Sequence, residues 1–377
     1  MEVFITGASG HIASAIIPEL LGAGHGVVGL ARSDAAAAAV EALGAKAHRG
    51  SLDDLDSLRD AAAAADGVIH LAFKNEEMQA GNVAGAIEAD LRAKETMGDA
   101  LAGTGKPFVG YSGTLMLVFG GVQGTRTETD AVESGPGAPV ETKVITLAER
   151  GIRSSLVRLP PTVHSSLDHH GYIPALIRIA RDKGRAGYVA DGSNRWPAVH
   201  TLEAARLFRL ALEAAPAGSR LHAVADEGVP FREIAGAIGH HLDVPVVSIG
   251  AEEAADYFGF LAPFVSLDNP VSSKLTRQML GWQPAGRLLV VRMREVSRSR
   301  AEAAKMDWTI QRPSRTPRAV PSAPASRAPS GIMPKARKRM LAVTRPSMEG
   351  GQYCCRKLPA ITLLTTMPPA TIAEPVR

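Results

Sequence analysis

The chain has 377 residues and 45% of them are hydrophobic, which is enough apolar surface for one large packed domain and a further segment. It contains neither a basic leader before a short apolar stretch nor an unbroken apolar run of about eighteen residues. We therefore expect no signal peptide, no membrane span and a cytoplasmic location. The two cysteines, Cys354 and Cys355, are adjacent, which argues against a disulfide framework and a metal site.

The formal net charge of +4 hides two parts of opposite sign. Residues 287–377 contain 18 Lys and Arg against 5 Asp and Glu, whereas residues 1–286 contain 24 against 33. Eleven of the 25 prolines lie in 287–377, where no helical or alternating apolar period survives. We predict that this basic, Pro/Arg-rich tail is disordered.

Two interpretations of the tail differ in function. Its positive charge would attract nucleic acid, but no binding module is recognisable and only Trp308 and Tyr353 interleave aromatic rings with the charges. We favour a shifted reading frame of a GC-rich gene after the segment LGWQPAG at 280–286. We therefore expect no nucleic-acid partner.

Strand-like and helix-like segments alternate through the first 160 residues. Short apolar runs predict strands at 2–6, 26–31, 45–48, 67–71, 107–111 and 154–159. Ala-rich stretches predict helices at 11–23, 34–43, 53–65, 79–102 and 139–150. This repeated β-α-β order predicts an α/β fold with a Rossmann-type, doubly wound parallel sheet, which binds ligands at the carboxyl ends of its strands.

The regular alternation of predicted strands and helices ends after Leu159. Helices are predicted near 172–183, 201–214, 230–241 and 251–259, with only short strands between them. We interpret 1–160 as the Rossmann core and 161–286 mainly as a small C-terminal substrate lobe of the same domain, followed by the tail at 287–377.

The segment TGASGHIAS, residues 6–14, follows the first predicted strand. Gly7 permits a tight turn, Gly10 lets the backbone approach a pyrophosphate, and the amides at the start of the next helix face the negative charge. The contacts are expected from Gly7, Ser9, Gly10, His11 and Ile12. A glycine-rich turn without a ligand is the alternative, which the position after the first strand disfavours.

The end of the second strand selects the dinucleotide. Arg32, with Ser33 beside it, stands where a carboxylate would accept hydrogen bonds from the adenosine ribose in an NAD-binding protein. A guanidinium suits the additional phosphate of NADP. The cofactor is therefore predicted to be NADP, while Asp34 keeps NAD as the alternative.

Six motifs then occur in a familiar order: TGASGHIA, GSLDD at 50–54, GVIHLA at 67–72, GYSGT at 110–114, VRLPPTVH at 157–164 and RWPAVHTLEAARLF at 195–208. In this order the chain resembles the extended short-chain dehydrogenase/reductases, the NAD-dependent epimerase/dehydratase family. The resemblance implies that Leu71 and Ala72 line the nicotinamide-ribose path and that Leu52 and Asp53 lie near the adenine. It also implies that Thr114 replaces the catalytic serine or threonine, and it suggests a homodimer.

The catalytic tyrosine and the lysine four residues later, which the family carries on the helix before the sixth strand, are absent. No tyrosine occurs between Tyr111 and Tyr172, and Lys143 is the only lysine there. Because Lys143 comes two residues after Glu141, the two side chains point to roughly opposite sides of a helix. The standard proton relay, in which lysine lowers the pKa of tyrosine, cannot be assumed.

Other polar and aromatic residues are candidates for the reaction and the substrate cleft. We assign catalysis to Thr114 and His164, and substrate contact to Tyr111, His170, Trp196 and His200. Core packing is the alternative for Tyr111 and Trp196. We predict an NAD(P)-dependent oxidoreductase or epimerase-like enzyme that acts on a small carbonyl or alcohol substrate, and the alternative is a non-catalytic NADP(H)-binding sensor or scaffold.

Overall fold

The computed structural model describes residues 1–285, and the predicted disordered tail lies outside the described residues. The strands are, in chain order, β1 (Glu2–Thr6), β2 (Gly26–Ala31), β3 (Lys46–Arg49), β4 (Gly67–His70), β5 (Pro107–Gly113), β6 (Arg153–Leu159), β7 (Thr162–His164), β8 (Ala186–Val189), β9 (Arg195–His200), β10 (Ser219–His222), β11 (Asp226–Pro230) and β12 (Val246–Ile249). The helices are α1 (Ala13–Gly22), α2 (Asp34–Ala42), α3 (Leu55–Ala64), α4 (Asn75–Gln79), α5 (Val83–Leu101), α6 (Leu115–Phe119), α7 (Gly137–Thr146), α8 (Tyr172–Lys183), α9 (Thr201–Ala214), α10 (Phe231–Leu242), α11 (Ala254–Phe258), α12 (Ala262–Val265) and α13 (Lys274–Leu280).

Seven strands form the main sheet, in the order β10-β6-β5-β4-β1-β2-β3, and every neighbouring pair is parallel. Parallel strands require crossover connections, and helices supply them on both faces of the sheet. The predicted doubly wound, Rossmann-type fold is therefore confirmed. In this order β1 lies between β2 and β4, so residues that follow these three strands share one edge of the sheet.

The strand β1 shows why both faces of the sheet are covered. Successive side chains of a strand point to opposite faces. Val3 and Ile5 are buried in one apolar cluster with α1 and α9, whereas Phe4 is buried in another with α3, α5 and α7. The continuous apolar run at the start of the chain is thus the signature of a strand buried on both sides.

A third apolar cluster is formed around Trp196, Phe231 and Ile238. It is built by α8, α10, α11 and α12 against two small sheets, β11-β9-β7 and β12-β8. From the predicted substrate lobe, α9 packs on the main core and β10 pairs with β6. Residues 161–285 therefore build the second lobe but also return two elements to the Rossmann sheet.

The short helix α4 ends at Gln79, where the helix predicted at 79–102 was expected to begin, and that helix begins only at Val83, as α5. Gly81 has φ +91°, a left-handed conformation that ends the first helix. The side chain of Asn82 accepts a hydrogen bond from the Gly85 amide at 3.1 Å and caps the second. This break sets the short helix α4 apart, next to the carboxyl end of β4.

Candidate functional site

The glycine-rich turn lies at the carboxyl end of β1. Gly7 has φ +69°, and a Cβ there would lie only 2.8 Å from the amide nitrogen of Ala72 and the carbonyl carbon of Leu71. Gly10 donates its amide to the Gly7 carbonyl at 2.9 Å, and α1 begins at Ala13. Any side chain at position 7 would fill the space between the turn and the end of β4. The arrangement fits a pyrophosphate cradle at a helix N-terminus.

The other predicted residues of the turn differ in their surroundings. Ser9 is exposed, and Ile12 is half-buried. His11 Nε2 lies 2.9 Å from the Thr201 hydroxyl, and its Nδ1 lies 3.8 Å from the Asp168 carboxylate. Burial lowers the pKa of His11, although Asp168 acts in the opposite direction. The turn is therefore joined to the loop after β7 and to the start of α9.

Charged side chains surround the predicted adenosine end. Arg32, at the end of β2, donates to the Glu76 carboxylate at 2.7 Å. Ser33 accepts the Ala36 amide at 3.2 Å, so its hydroxyl is the N-cap of α2. Leu52 is buried, and Asp53 lies 2.8 Å from the Lys74 ammonium.

The predicted nicotinamide-ribose path, formed by Leu71 and Ala72, is held by Thr6. The Thr6 hydroxyl accepts both of their amides at 3.1 Å and lies 2.8 Å from His70 Nδ1. His70 Nε2 lies 3.0 Å from the Asp90 carboxylate, which accepts only. Nε2 therefore carries the histidine proton, and Thr6 donates to Nδ1.

This chain of hydrogen bonds continues to Lys94, whose ammonium lies 2.6 Å from Asp90. Burial lowers the pKa of His70 and that of Lys94, and Asp90 opposes both shifts. Burial acts to raise the pKa of Asp90, but His70 and Lys94 outweigh it and lower that pKa. This network was not predicted from the sequence. The residues that could have indicated it are a histidine in an apolar strand and an acid–base pair four residues apart on α5.

Thr114 directly follows β5 and is fully buried. Its hydroxyl oxygen accepts a hydrogen bond from Asn269 Nδ2 at 2.9 Å, so the hydroxyl hydrogen remains available for donation. Within residues 1–285, no donor reaches Asn269 Oδ1, which is also buried. Asn269 was not predicted as a site residue, and it lies 155 residues from its partner in the chain.

The face of α7 that packs on the sheet carries Gly137, Glu141 and Val144. Glu141 forms two hydrogen bonds with Arg158, at 2.6 and 3.0 Å, and their side chains are 2% and 0% exposed. Lys143 points to the other side and pairs with Glu95. The predicted opposition of Glu141 and Lys143 is confirmed, and a buried ion pair with a glycine one turn earlier occupies the inner face.

The buried ion pair is extended by His222 on β10. Arg158 donates to His222 Nε2 at 3.1 Å, and His222 Nδ1 donates to the Ser272 carbonyl at 2.7 Å. Burial, with the charge of Arg158, lowers the pKa of His222 to about 3. A neutral histidine with a fixed tautomer therefore links the main sheet to the segment before α13.

Two of the predicted catalytic and substrate-lining residues meet. His164 on β7 and His200 on β9 are register partners, and their rings pack edge to face with centroids 5.5 Å apart. His200 Nδ1 also accepts the Leu202 amide at 3.3 Å and caps α9. Thr114 is bound instead to Asn269, and His170 lies exposed on the loop after β7.

The two aromatic candidates pack differently. Tyr111 is half-buried against the main core, and burial together with Asp90 raises its pKa well above the ordinary value. Trp196 is fully buried, with its ring 4.9 Å from Phe231 and 5.6 Å from Tyr172. The apolar core of the second lobe encloses its indole, which favours core packing, the alternative given for Trp196.

Two further observations concern residues 1–285 alone. They contain no group of three or more His, Cys, Asp or Glu side chains placed to hold a metal ion. None of the helices in this range is both long and apolar enough to cross a bilayer.

Similar sequences agree with the motif resemblance. The profile of the NAD dependent epimerase/dehydratase family matches residues 3–143. An uncharacterized protein of Schizosaccharomyces pombe is 46% identical over 284 residues, which are 75% of this chain and 95% of that protein. An uncharacterized protein of Saccharomyces cerevisiae is 44% identical over 286 residues, with the same coverage of 75% and 95%. A 4-hydroxy-2-methyl-3-oxo-4-farnesyl-3,4-dihydroquinoline-1-oxide ketoreductase of Stigmatella aurantiaca is 26% identical over 235 residues, covering 58% of this chain and 66% of that enzyme.

Solved structures share the fold. A dTDP-glucose 4,6-dehydratase of Streptomyces venezuelae, crystallised with NAD, has a TM-score of 0.63 and 18% identity, with 81% of this chain and 98% of that chain covered. A UDP-glucose 4-epimerase of Thermotoga maritima has a TM-score of 0.63 and 16% identity, with coverage of 81% and 100%. With this fold, the profile match and the fungal relatives, the chain belongs to the NAD-dependent epimerase/dehydratase family.

Proposed function

We propose that the protein is an NAD(P)-dependent oxidoreductase or epimerase-like enzyme that prefers NADP(H) and acts on a small carbonyl or alcohol substrate. The cytoplasmic location and the homodimer expected from the sequence are part of this proposal. The main support is the turn at Gly7, whose left-handed backbone lies too close to Leu71 and Ala72 for any side chain. Arg32 at the end of β2 supports the preference for NADP(H).

When bound, the dinucleotide would supply or accept the hydride. Gly7, Gly10 and the amides after them would hold the pyrophosphate, and Arg32 the additional phosphate. Thr6 would keep Leu71 and Ala72 in position along the nicotinamide ribose, since its hydroxyl accepts both amides.

Proton transfer is assigned to Thr114 and His164. Because Thr114 accepts from Asn269, its hydrogen is free to bind a substrate oxygen. A threonine hydroxyl is a weak acid, so in this proposal it orients the substrate while the His164 imidazole supplies the proton. In this proposal Asn269 positions Thr114 rather than reacting itself.

A specific observation favours the second candidate, a non-catalytic NADP(H) sensor or scaffold. The inner face of α7 holds the buried Glu141–Arg158 pair, and Thr114 is fully buried. A substrate oxygen would therefore bind Thr114 only after the side chains around it move. In a sensor these side chains would stay in place while the dinucleotide binds.

The test is a fluorescence titration of the purified protein with NADPH and NADH, followed by a carbonyl-substrate screen that monitors NADPH absorbance. We expect NADPH to bind about tenfold more tightly, and Arg32→Ala to remove most of that preference. Gly10→Val should abolish binding of both nucleotides without loss of the far-UV circular dichroism signal. Equal affinities in the unmodified protein would contradict the NADP preference, and tight NADPH binding without turnover of any substrate would support the sensor.

A further inference from the structure

The short segment Lys74–Glu77 carries charges toward the predicted adenosine end. Glu76 Oε1 lies 2.7 Å from Arg32, at the end of β2. Lys74 lies 2.8 Å from Asp53, after β3, and 2.8 Å from Glu77. We call the two pairs Arg32–Glu76 and Asp53–Lys74 the adenosine bridge.

The strand order fixes what this bridge crosses. The main sheet runs β3-β2-β1-β4, so the end of β1 lies between the end of β4 on one side and the ends of β2 and β3 on the other. Lys74 and Glu76 follow β4, whereas Arg32 follows β2 and Asp53 follows β3. Both pairs therefore span the end of β1, from which the glycine-rich turn continues. The bridge lies across the approach to the adenosine half of the cradle.

Arg32 can readily exchange Glu76 for another anion. The two side chains are 70% and 79% exposed, and exposed ion pairs are held weakly. The hydrogen bond and the charge of Arg32 lower the pKa of Glu76, so the carboxylate is ionised at neutral pH. A phosphate dianion can replace a carboxylate on a guanidinium, because it offers more charge and the same forked geometry.

The Arg32–Glu76 pair should affect the binding of NADP and of NAD differently. The 2′-phosphate of NADP must take Arg32 from Glu76. The 2′-hydroxyl of NAD needs no guanidinium and can donate to a carboxylate. Glu76 therefore opposes NADP while leaving NAD unaffected or favoured.

We propose that Glu76 is a specificity-determining residue, which competes with the 2′-phosphate of NADP for Arg32 and so limits the preference for NADP over NAD. This inference rests on the proposed function, in which the cradle holds a dinucleotide. Neither the glycine motif nor Arg32 alone reveals it, because Glu76 belongs to another strand–helix connection, 44 residues away.

The experiment compares Glu76→Gln with Glu77→Gln in fluorescence titrations with NADPH and NADH at low salt. Both variants lose one negative charge from α4, but Glu77 pairs with Lys74 and leaves Arg32 bound to Glu76. Glu76→Gln should bind NADPH about two- to fivefold more tightly than the parent and NADH within about twofold of it. Glu77→Gln should change the NADPH/NADH ratio less than Glu76→Gln does.

The same titrations in an Arg32→Ala background complete a double-mutant cycle. There, Glu76→Gln should have no larger effect than Glu77→Gln, because the contested cation is gone. Equal effects of the two variants in the parent background, or persistence of the Glu76→Gln effect without Arg32, would overturn the inference and leave the proposed function standing. Failure of both nucleotides to bind the parent protein would overturn both.

Discussion

The ion pairs at the two ends of the candidate site differ in burial. At the adenosine end, Arg32 and Glu76 are exposed, and each is free to change partner. At the predicted catalytic end, Glu141 and Arg158 are fully buried, and each would be left uncompensated without the other. The exposed charges at the predicted cofactor end can therefore change partners when a ligand binds. The buried charges of Glu141 and Arg158 instead stabilise the fold.

The largest expected effect is on the buried pair. Glu141→Gln leaves the Arg158 guanidinium without a counter-charge, and breaking a buried pair typically lowers the free energy of unfolding by about 3–5 kcal/mol. Urea denaturation followed by circular dichroism measures this loss. The matched control is Glu95→Gln, which breaks the partly exposed pairs with Lys143 and Arg150 and should change stability by about 1 kcal/mol or less. Similar losses in both variants would erase the distinction between the two kinds of pair.

The second effect is a pH dependence that arises at His222. Its pKa in the folded protein, about 3, lies below the ordinary value of 6.5 for an unfolded histidine. Between these values the unfolded chain binds a proton that the native protein does not, so stability is complete above pH 6.5 and falls as the pH drops toward 3. The slope contributed by one histidine is at most about 1.4 kcal/mol per pH unit.

Urea denaturation across this pH range tests the assignment. In His222→Gln the part of the slope due to this histidine should disappear, while other groups, including His70 with its lowered pKa, retain theirs. An unchanged slope in the variant would show that His222 does not titrate as the structure implies.

The smallest expected effect concerns Lys143. The residue points away from the sheet toward Glu95, so Lys143→Ala should lower the free energy of unfolding by about 1 kcal/mol or less. In this variant any NADPH-dependent turnover should stay within about twofold of the parent. Thr114→Val is the contrasting variant, which should reduce turnover much more than it weakens NADPH binding. Loss of turnover in Lys143→Ala with binding intact would mean that the exposed face of α7 takes part in the reaction.

Local patterns in the sequence predicted most of the sheet. The run Val3-Phe4-Ile5, the turn at Gly7 and the alternation of apolar strands with Ala-rich helices depend on neighbours in the chain, and the structure confirms the elements that they predicted. The opposition of Glu141 and Lys143 followed from helix geometry alone. Such features depend on residues close together in the chain, so they can be predicted from composition and spacing.

Partners far apart in the chain were not predictable in this way. Asn269 reaches Thr114, Glu76 reaches Arg32, and Asp90 reaches His70 only through the fold. The surroundings of Trp196 were not predictable either, because only the packing of α8 and α10 shows that its ring is enclosed. The sequence motifs indicate which residues belong to the candidate site. The hydrogen-bond partners and the burial of each side chain depend on tertiary contacts.

The return of α9 and β10 to the main sheet makes the two lobes inseparable by a single cut. A fragment that ends near residue 160 would lack β10 as the partner of β6. It would also lack Leu207 and Phe208, which cover the side of the sheet where Val3 and Ile5 lie. Its sheet would therefore expose β6 as an edge strand and leave part of an apolar face uncovered, two features that promote aggregation. The stable fold of the first 160 residues thus depends on two elements that follow them in the chain.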